Sequence, residues 1–137
     1  MPATPLPRVQ RILFPWLRPL FPDVTFTSWG ADVDFRTFPT VNIRRLGGIP
    51  KHPRLLGRTV IEMTAYGNVD MPTTEELWDS VSLAIWEMTQ NSGDVAALGN
   101  GHISSYRVTM GATQFDSPFD DTWRIQGLIQ LGIRPPA

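Results

Sequence analysis

Apolar residues recur along this chain at two different periods. Between Thr59 and Tyr66 they return at every second position, as Ile61, Met63 and Ala65, which is the pattern of a strand with one buried face. From Thr74 to about Gln90 they return at helical spacing, with Leu77, Val81, Ala84, Ile85 and Met88 on one stripe. Gly67 to Asp70 supplies a turn between the two. Thr73 and Glu76 have the spacing of a capping box, in which the hydroxyl bonds the N3 amide and the carboxylate reaches back to the cap. Asn91, Ser92 and Gly93 tolerate the left-handed backbone that stops a helix. A strand that feeds a long amphipathic helix predicts a sheet with that helix laid across one face.

The same patterns supply the remaining elements. Val9, Ile12, Leu13, Trp16, Leu17 and Leu20 follow helical spacing within a proline-studded segment, residues 1–22. Pro7 suits a first turn, and Pro15 should kink the helix or end it near Phe14, giving a broken helix. Residues 24–29 and 40–45 alternate as strands, the second with Val41 and Ile43 inward and Asn42 and Arg44 outward. Residues 49–57 read as a basic, proline-containing loop, and 93–101 as a flexible connection. Residues 103–113 form a further strand with Tyr106, Val108, Met110 and Ala112 on one side. A final strand runs over 122–131, where Gly127 marks a bulge or a close approach. Residues 132–137 are left as a loose tail. The order of elements predicts a single α+β domain over 1–137. It is a mainly antiparallel sheet of about four to five strands, carrying the long helix at about 74–90 and the broken N-terminal helix.

Composition narrows the class. The 137 residues include no cysteine, which removes disulfides and thiolate chemistry, and only 18% are charged, a low share for a free monomer. The apolar run 12–21 is interrupted by Pro15, Arg18 and Pro19 and fits neither a signal peptide nor a membrane span. A soluble, intracellular product with no membrane contact is therefore expected. The net charge of −1 hides a division: residues 1–58 carry a net +6 and residues 59–137 a net −7. Such a split suits head-to-tail self-association, in which the basic half of one copy meets the acidic half of the next. Alternatively, the halves interleave in the fold and the charges mix.

Candidate chemistry is sparse. His52 and His102 are far apart in sequence. Asp32 and Asp34 have no third ligand beside them, and Asp116, Asp120 and Asp121 lack the order of a calcium loop, so solvated loops are the plainer reading. The chain has no nucleophile elbow, dinucleotide fingerprint or zinc-protease motif, and no catalytic site, metal or cofactor is assigned. Gly99, Asn100 and Gly101 precede a strand and no phosphate-loop lysine, so they are not a phosphate loop. Arg44, Arg45, Lys51, His52, Arg54 and Arg58 fall within fifteen residues. That cluster suits phosphates or an acidic partner protein, although a pI near 6.1 is not that of a dedicated DNA binder.

Residues 38–48, the basic loop behind them, the strand 60–66, the capped helix, and the strand opened by Gly101, His102 and Ile103 occur in a familiar order. In that order and spacing the chain resembles the tail terminator family of long-tailed phages, most closely its actinobacteriophage members. The resemblance covers most of residues 24–131. It implies a sheet with helices on one face, and a homohexameric ring seated on the last ring of the tail tube. Such a ring stops tube polymerisation, offers a surface to the head-completion or stopper protein, and lets genomic double-stranded DNA pass through its bore without sequence-specific binding. It implies a siphovirus virion protein at the head-proximal end of the tail, assembled in the host cytoplasm, with no catalytic residues and no cofactor. On this reading Arg44, Arg45, Lys51, His52, Arg54, Arg58, Phe115 and Phe119 are candidates for an inter-subunit or partner interface. Phe35 and Phe38 are further aromatic residues for neighbours to cover. The rival expectations are another head–tail connector or stopper ring and a small nucleic-acid-binding domain.

Overall fold

A stripe of apolar residues forms a helix only if the first turn can satisfy its own amide groups. In the computed structural model, which describes residues 6–28, 37–47, 50–52 and 56–136, the long helix begins three residues before the expected start. Asp70 is its cap: Oδ1 accepts a hydrogen bond from the Thr73 amide at 2.7 Å. The expected Thr73–Glu76 box therefore does not form the cap. Pro72 explains the difference, because its ring presets φ and its missing N–H is not needed in a first turn.

In chain order the elements are α1 (Val9–Leu20), β1 (Thr25–Thr27), β2 (Thr40–Arg45), β3 (Pro50–His52), β4 (Leu56–Gly67), α2 (Met71–Gln90), α3 (Ser92–Ala96), β5 (His102–Phe115) and β6 (Trp123–Arg134). One mixed sheet of α+β architecture runs β1-β2-β4-β6-β5, with β3 paired to the start of β4. β1 is parallel to β2 and every other pairing is antiparallel.

Several short elements depart from expectation. Part of the anticipated basic loop is β3, where Pro50 pairs with Gly57 and His52 with Leu56. Within the expected flexible connection lies α3, which buries Val95. β6 continues to Arg134, three residues into the expected loose tail, because Ile133 is buried between Gly57 and Ile103 in the sheet. α1 does not end at Phe14 but continues through Pro15 to Leu20. Pro15 lies on the exposed side, so the Arg11 carbonyl that loses its partner can turn to water. Burial of Leu13 and Leu17 holds the helix on both sides of the proline.

α1 and α2 pack against each other on one face of the sheet, α1 beside β1 and α2 across β4, β6 and β5. Beneath them lie Val41 and Ile43 of β2, Ile61, Met63 and Ala65 of β4, and Ile125, Ile129, Leu131 and Ile133 of β6, all buried. The opposite positions of these strands carry Asn42, Arg44, Glu62, Thr64, Gln126 and Gln130, a polar face with no helix on it among the described residues.

Trp78, one position past the expected stripe residue Leu77, anchors α2 to the sheet. It is buried, and its indole N–H donates to the Met63 carbonyl at 2.8 Å. The ring lies over Gly127 so closely that a Cβ there would sit 2.3 Å from Trp78 Cζ2. The close approach expected at Gly127 is thus the seat of an indole. Across β6, β5 carries three register shifts, between Ile103 and Ser105, Val108 and Met110, and Met110 and Thr113.

Candidate functional site

Strand alternation divides the basic cluster. Arg44 and Arg58 fall on the polar face and Arg45 on the helix side. Arg44 is engaged within the chain: its guanidinium donates to Glu62 at 3.1 Å, directly opposite on β4. Arg45 and Arg58, both exposed, line a cleft of about 150 Å³ whose other walls include Leu6, Pro7 and Gly57. Lys51 and His52 lie on β3. Arg54 lies outside the described residues, as do Phe35, Asp32 and Asp34. Of the cluster seen in sequence, Arg45 and Arg58 share a cleft among the described residues.

The two candidate phenylalanines differ. Phe119 packs edge-on against Phe38 and Tyr66, with centroids 5.9 and 5.8 Å away. Hydrogen bonds from Thr122 Oγ1 to the Phe119 carbonyl at 2.6 Å, and between Ser117 and Thr122, brace its loop. Much of Phe119 thus braces the polar face from within. Phe115 is 37% exposed, and the Arg124 guanidinium stands 5.4 Å from its ring centroid.

Among the described residues no group of three or more His, Cys, Asp or Glu converges to hold a metal ion. His102 opens β5 opposite Arg134, and Asp116, Asp120 and Asp121 remain in the loop before β6. No described helix is long and apolar enough to cross a membrane.

Two surfaces stand outside the sequence-based candidates. On α1, Arg8, Arg11 and Arg18 are all exposed on one side of the helix, and the helix itself carries no acidic residue. Arg18 stacks on Phe14 with its guanidinium carbon 4.8 Å from the ring centroid. The spacing of three and ten residues, near whole turns, was the available signal. Between α2 and β5 runs an open groove of about 420 Å³, lined by Trp78, Ser82, Leu83, Trp86, Tyr106 and Val108. A short hydrogen bond of 2.5 Å joins Ser82 to the Tyr106 hydroxyl at its floor. Leu83 is 55% exposed, Trp86 41% and Val108 39%. Asp79 also lines the groove, Glu75 stands one helical turn before it, and α2 carries four carboxylates but no Lys or Arg.

A family model described as phage tail termination protein matches residues 5–137. The chain is 45% identical over 135 residues to the Gene 22 protein of Mycobacterium phage L5, covering 96% of this chain and 95% of that protein. It is 44% identical over 135 residues to the Gene 22 protein of Mycobacterium phage D29, with the same coverage of both.

Proposed function

Since the chain belongs to the phage tail termination protein family and is a structural component of a phage tail, we propose that it closes the head-proximal end of the tail tube as a ring. The resemblance, which covers most of residues 24–131, is borne out at the level of the family. The ring, a hexamer on this reading, stops addition of further tube subunits. It presents its outer side to a head-completion protein, and genomic double-stranded DNA passes through its bore without base-specific contacts. The role is one of binding and shape, and no residue is assigned to catalysis.

The observation that carries the proposal is the match to the family over residues 5–137. Three features of the chain support it. The low charge leaves apolar surface for neighbours to cover. The basic and acidic residues are segregated along the chain, which favours a contact repeated head to tail, the kind of contact from which cyclic rings are built. Arg45 and Arg58, sharing the cleft beside α1, and Phe115, half-exposed at the end of β5, are the surface groups we assign to contacts with neighbours or with the tube.

Electron microscopy of purified virions, with this protein located by labelling, tests the reading. A single ring at the junction of tail and head is the expected result. Its absence from the particle would overturn the proposal. Label on the portal side, together with no capture of the protein by purified tube protein, would reassign it as a stopper.

A further inference from the structure

We propose that the groove between α2 and β5 of one subunit receives the arginine-bearing side of α1 from a second copy of this chain. The inference rests on the ring reading and specifies which surfaces meet in it.

The groove has the character of an interface before assembly. Trp86, Leu83 and Val108 are substantially exposed beside Trp78 and Tyr106, so two tryptophans and a tyrosine meet at one surface. Contiguous apolar surface of this kind marks contact sites, and tryptophan and tyrosine are the residues most often found to dominate them. Asp79 borders the groove, and Glu75, one helical turn before it, falls by helical spacing on the same side of α2 as Trp86. With no basic residue on α2, nothing on that helix neutralises them.

The side of α1 that carries Arg8, Arg11 and Arg18 matches this surface in charge, chemistry and length. Arg8 to Arg18 spans ten residues and Glu75 to Trp86 eleven, about 15 and 16 Å along their axes at the rise of a helix. Exposed Pro15 lies between the arginines on the same side, so an apolar contact is interleaved with the charges. Guanidinium groups pair with carboxylates and also stack on indole faces, so Trp86 and Asp79 suit arginine better than lysine.

Topology makes the contact one between copies. α1 packs beside β1, and the groove lies beside β5; these strands are the two ends of the order β1-β2-β4-β6-β5. The arginine side lines a separate cleft with Ser28 and Asn100, and none of its residues lines the groove, so the two surfaces are distinct within one chain. A contact between them uses different patches on the two partners and repeats from subunit to subunit, which makes a ring where the rotation between neighbours closes.

A charge exchange tests the pairing. The full chain is prepared as wild type, as Arg11→Glu with Arg18→Glu, as Glu75→Lys with Asp79→Lys, as all four together, and as Trp86→Ala. Self-association is followed by sedimentation at moderate salt, and rings on purified tail tubes are counted by electron microscopy. Each one-sided reversal, and Trp86→Ala, should weaken self-association about tenfold or more. The fourfold variant should recover most of that loss. Thermal melting of the variants at a concentration too low for association should match wild type, because all five side chains are exposed. If wild type forms rings and the one-sided variants form them equally well, or if the fourfold variant shows no recovery, the pairing is wrong while the ring reading stands. If Trp86→Ala loses only tube binding and keeps self-association, the groove belongs to the tube protein and the proposal fails. If wild type forms no ring in solution or on tubes, the ring reading itself falls.

Discussion

Gly127→Ala changes one methyl group at the point where α2 is seated on the sheet. The added Cβ would lie 2.3 Å from Trp78 Cζ2, 2.9 Å from Cη2 and 2.7 Å from the Met110 carbonyl oxygen. Trp78 has little freedom to yield, since it is 3% exposed and its indole N–H is held by the Met63 carbonyl. Gly127 is not among the glycines with positive φ, so alanine is compatible with the backbone and the cost is steric. Forcing a methylene into a packed core typically costs about 1–3 kcal/mol. Replacing a strand glycine returns roughly 0.5–1 kcal/mol of chain entropy. The net expectation is a loss of about 1–2 kcal/mol, or roughly 4–8 °C in midpoint for a domain of this size. Urea unfolding followed by circular dichroism at fixed protein concentration measures it. Repeating the substitution on a Trp78→Leu background isolates the cause: the alanine should then cost about 1 kcal/mol less, because the indole is gone while the Met110 carbonyl remains. A Gly127→Ala protein as stable as wild type, or an equal cost on both backgrounds, would refute the argument that the indole requires this glycine.

Other expectations follow from groups already described. The Asp70 carboxyl is held below its ordinary value by its hydrogen bonds with the Thr73 side chain and amide. Because the folded pKa is lowered, the stability it contributes is present above the ordinary value of 3.8 and is lost as the pH falls through the lower folded value. The gap in melting temperature between wild type and Asp70→Ala should therefore be full at pH 5 and shrink on acidification below 3.8, and a gap independent of pH would contradict the cap assignment. The Arg44–Glu62 pair, with the Arg44 side chain 56% exposed, should matter little to folding. Glu62→Gln is expected to shift unfolding by less than about 1 kcal/mol in a denaturant titration. Reversing Arg45 and Arg58 together to Glu should leave melting of the monomer unchanged and reduce the fraction of tails carrying a terminal ring at moderate salt, counted by electron microscopy. Unaltered ring occupancy would remove these two residues from the interface.

The parts of the fold that periodicity reveals are those whose partners lie under one continuous stripe or strand face. β2, β4 and most of α2 are of this kind, and their buried residues could be named from spacing alone. The stripe of α1 was legible too, but not its passage through Pro15, where tertiary burial of Leu13 and Leu17 overrides the local rule. β3 and α3 are too short to complete a period. Trp78 was missed because it neighbours the stripe at Leu77, and its space is made by Gly127, forty-nine positions later in the chain. The surface was less legible than the core. Density of charge in the sequence drew attention to residues 44–58, but alternation sends Arg44 and Arg45 to opposite faces and an ion pair occupies one of them. The arginines of α1 are scattered in sequence and meet only when wound on a helix. Phe119 looked like a group awaiting a neighbour, yet Phe38 and Tyr66 already cover part of it from distant strands.

The irregular pairing of β5 has a bearing on how copies of this chain can meet one another. A long terminal strand offers a row of amide and carbonyl groups to any other strand that meets it, and a flat fourteen-residue edge would invite copies to stack without limit. The three register shifts break that row into short stretches that bend and twist independently. A newly made copy is thereby discouraged from extending its sheet into another copy's by backbone pairing. Contacts at this edge are left to side chains, which discriminate between partners in a way that a bare row of backbone groups does not.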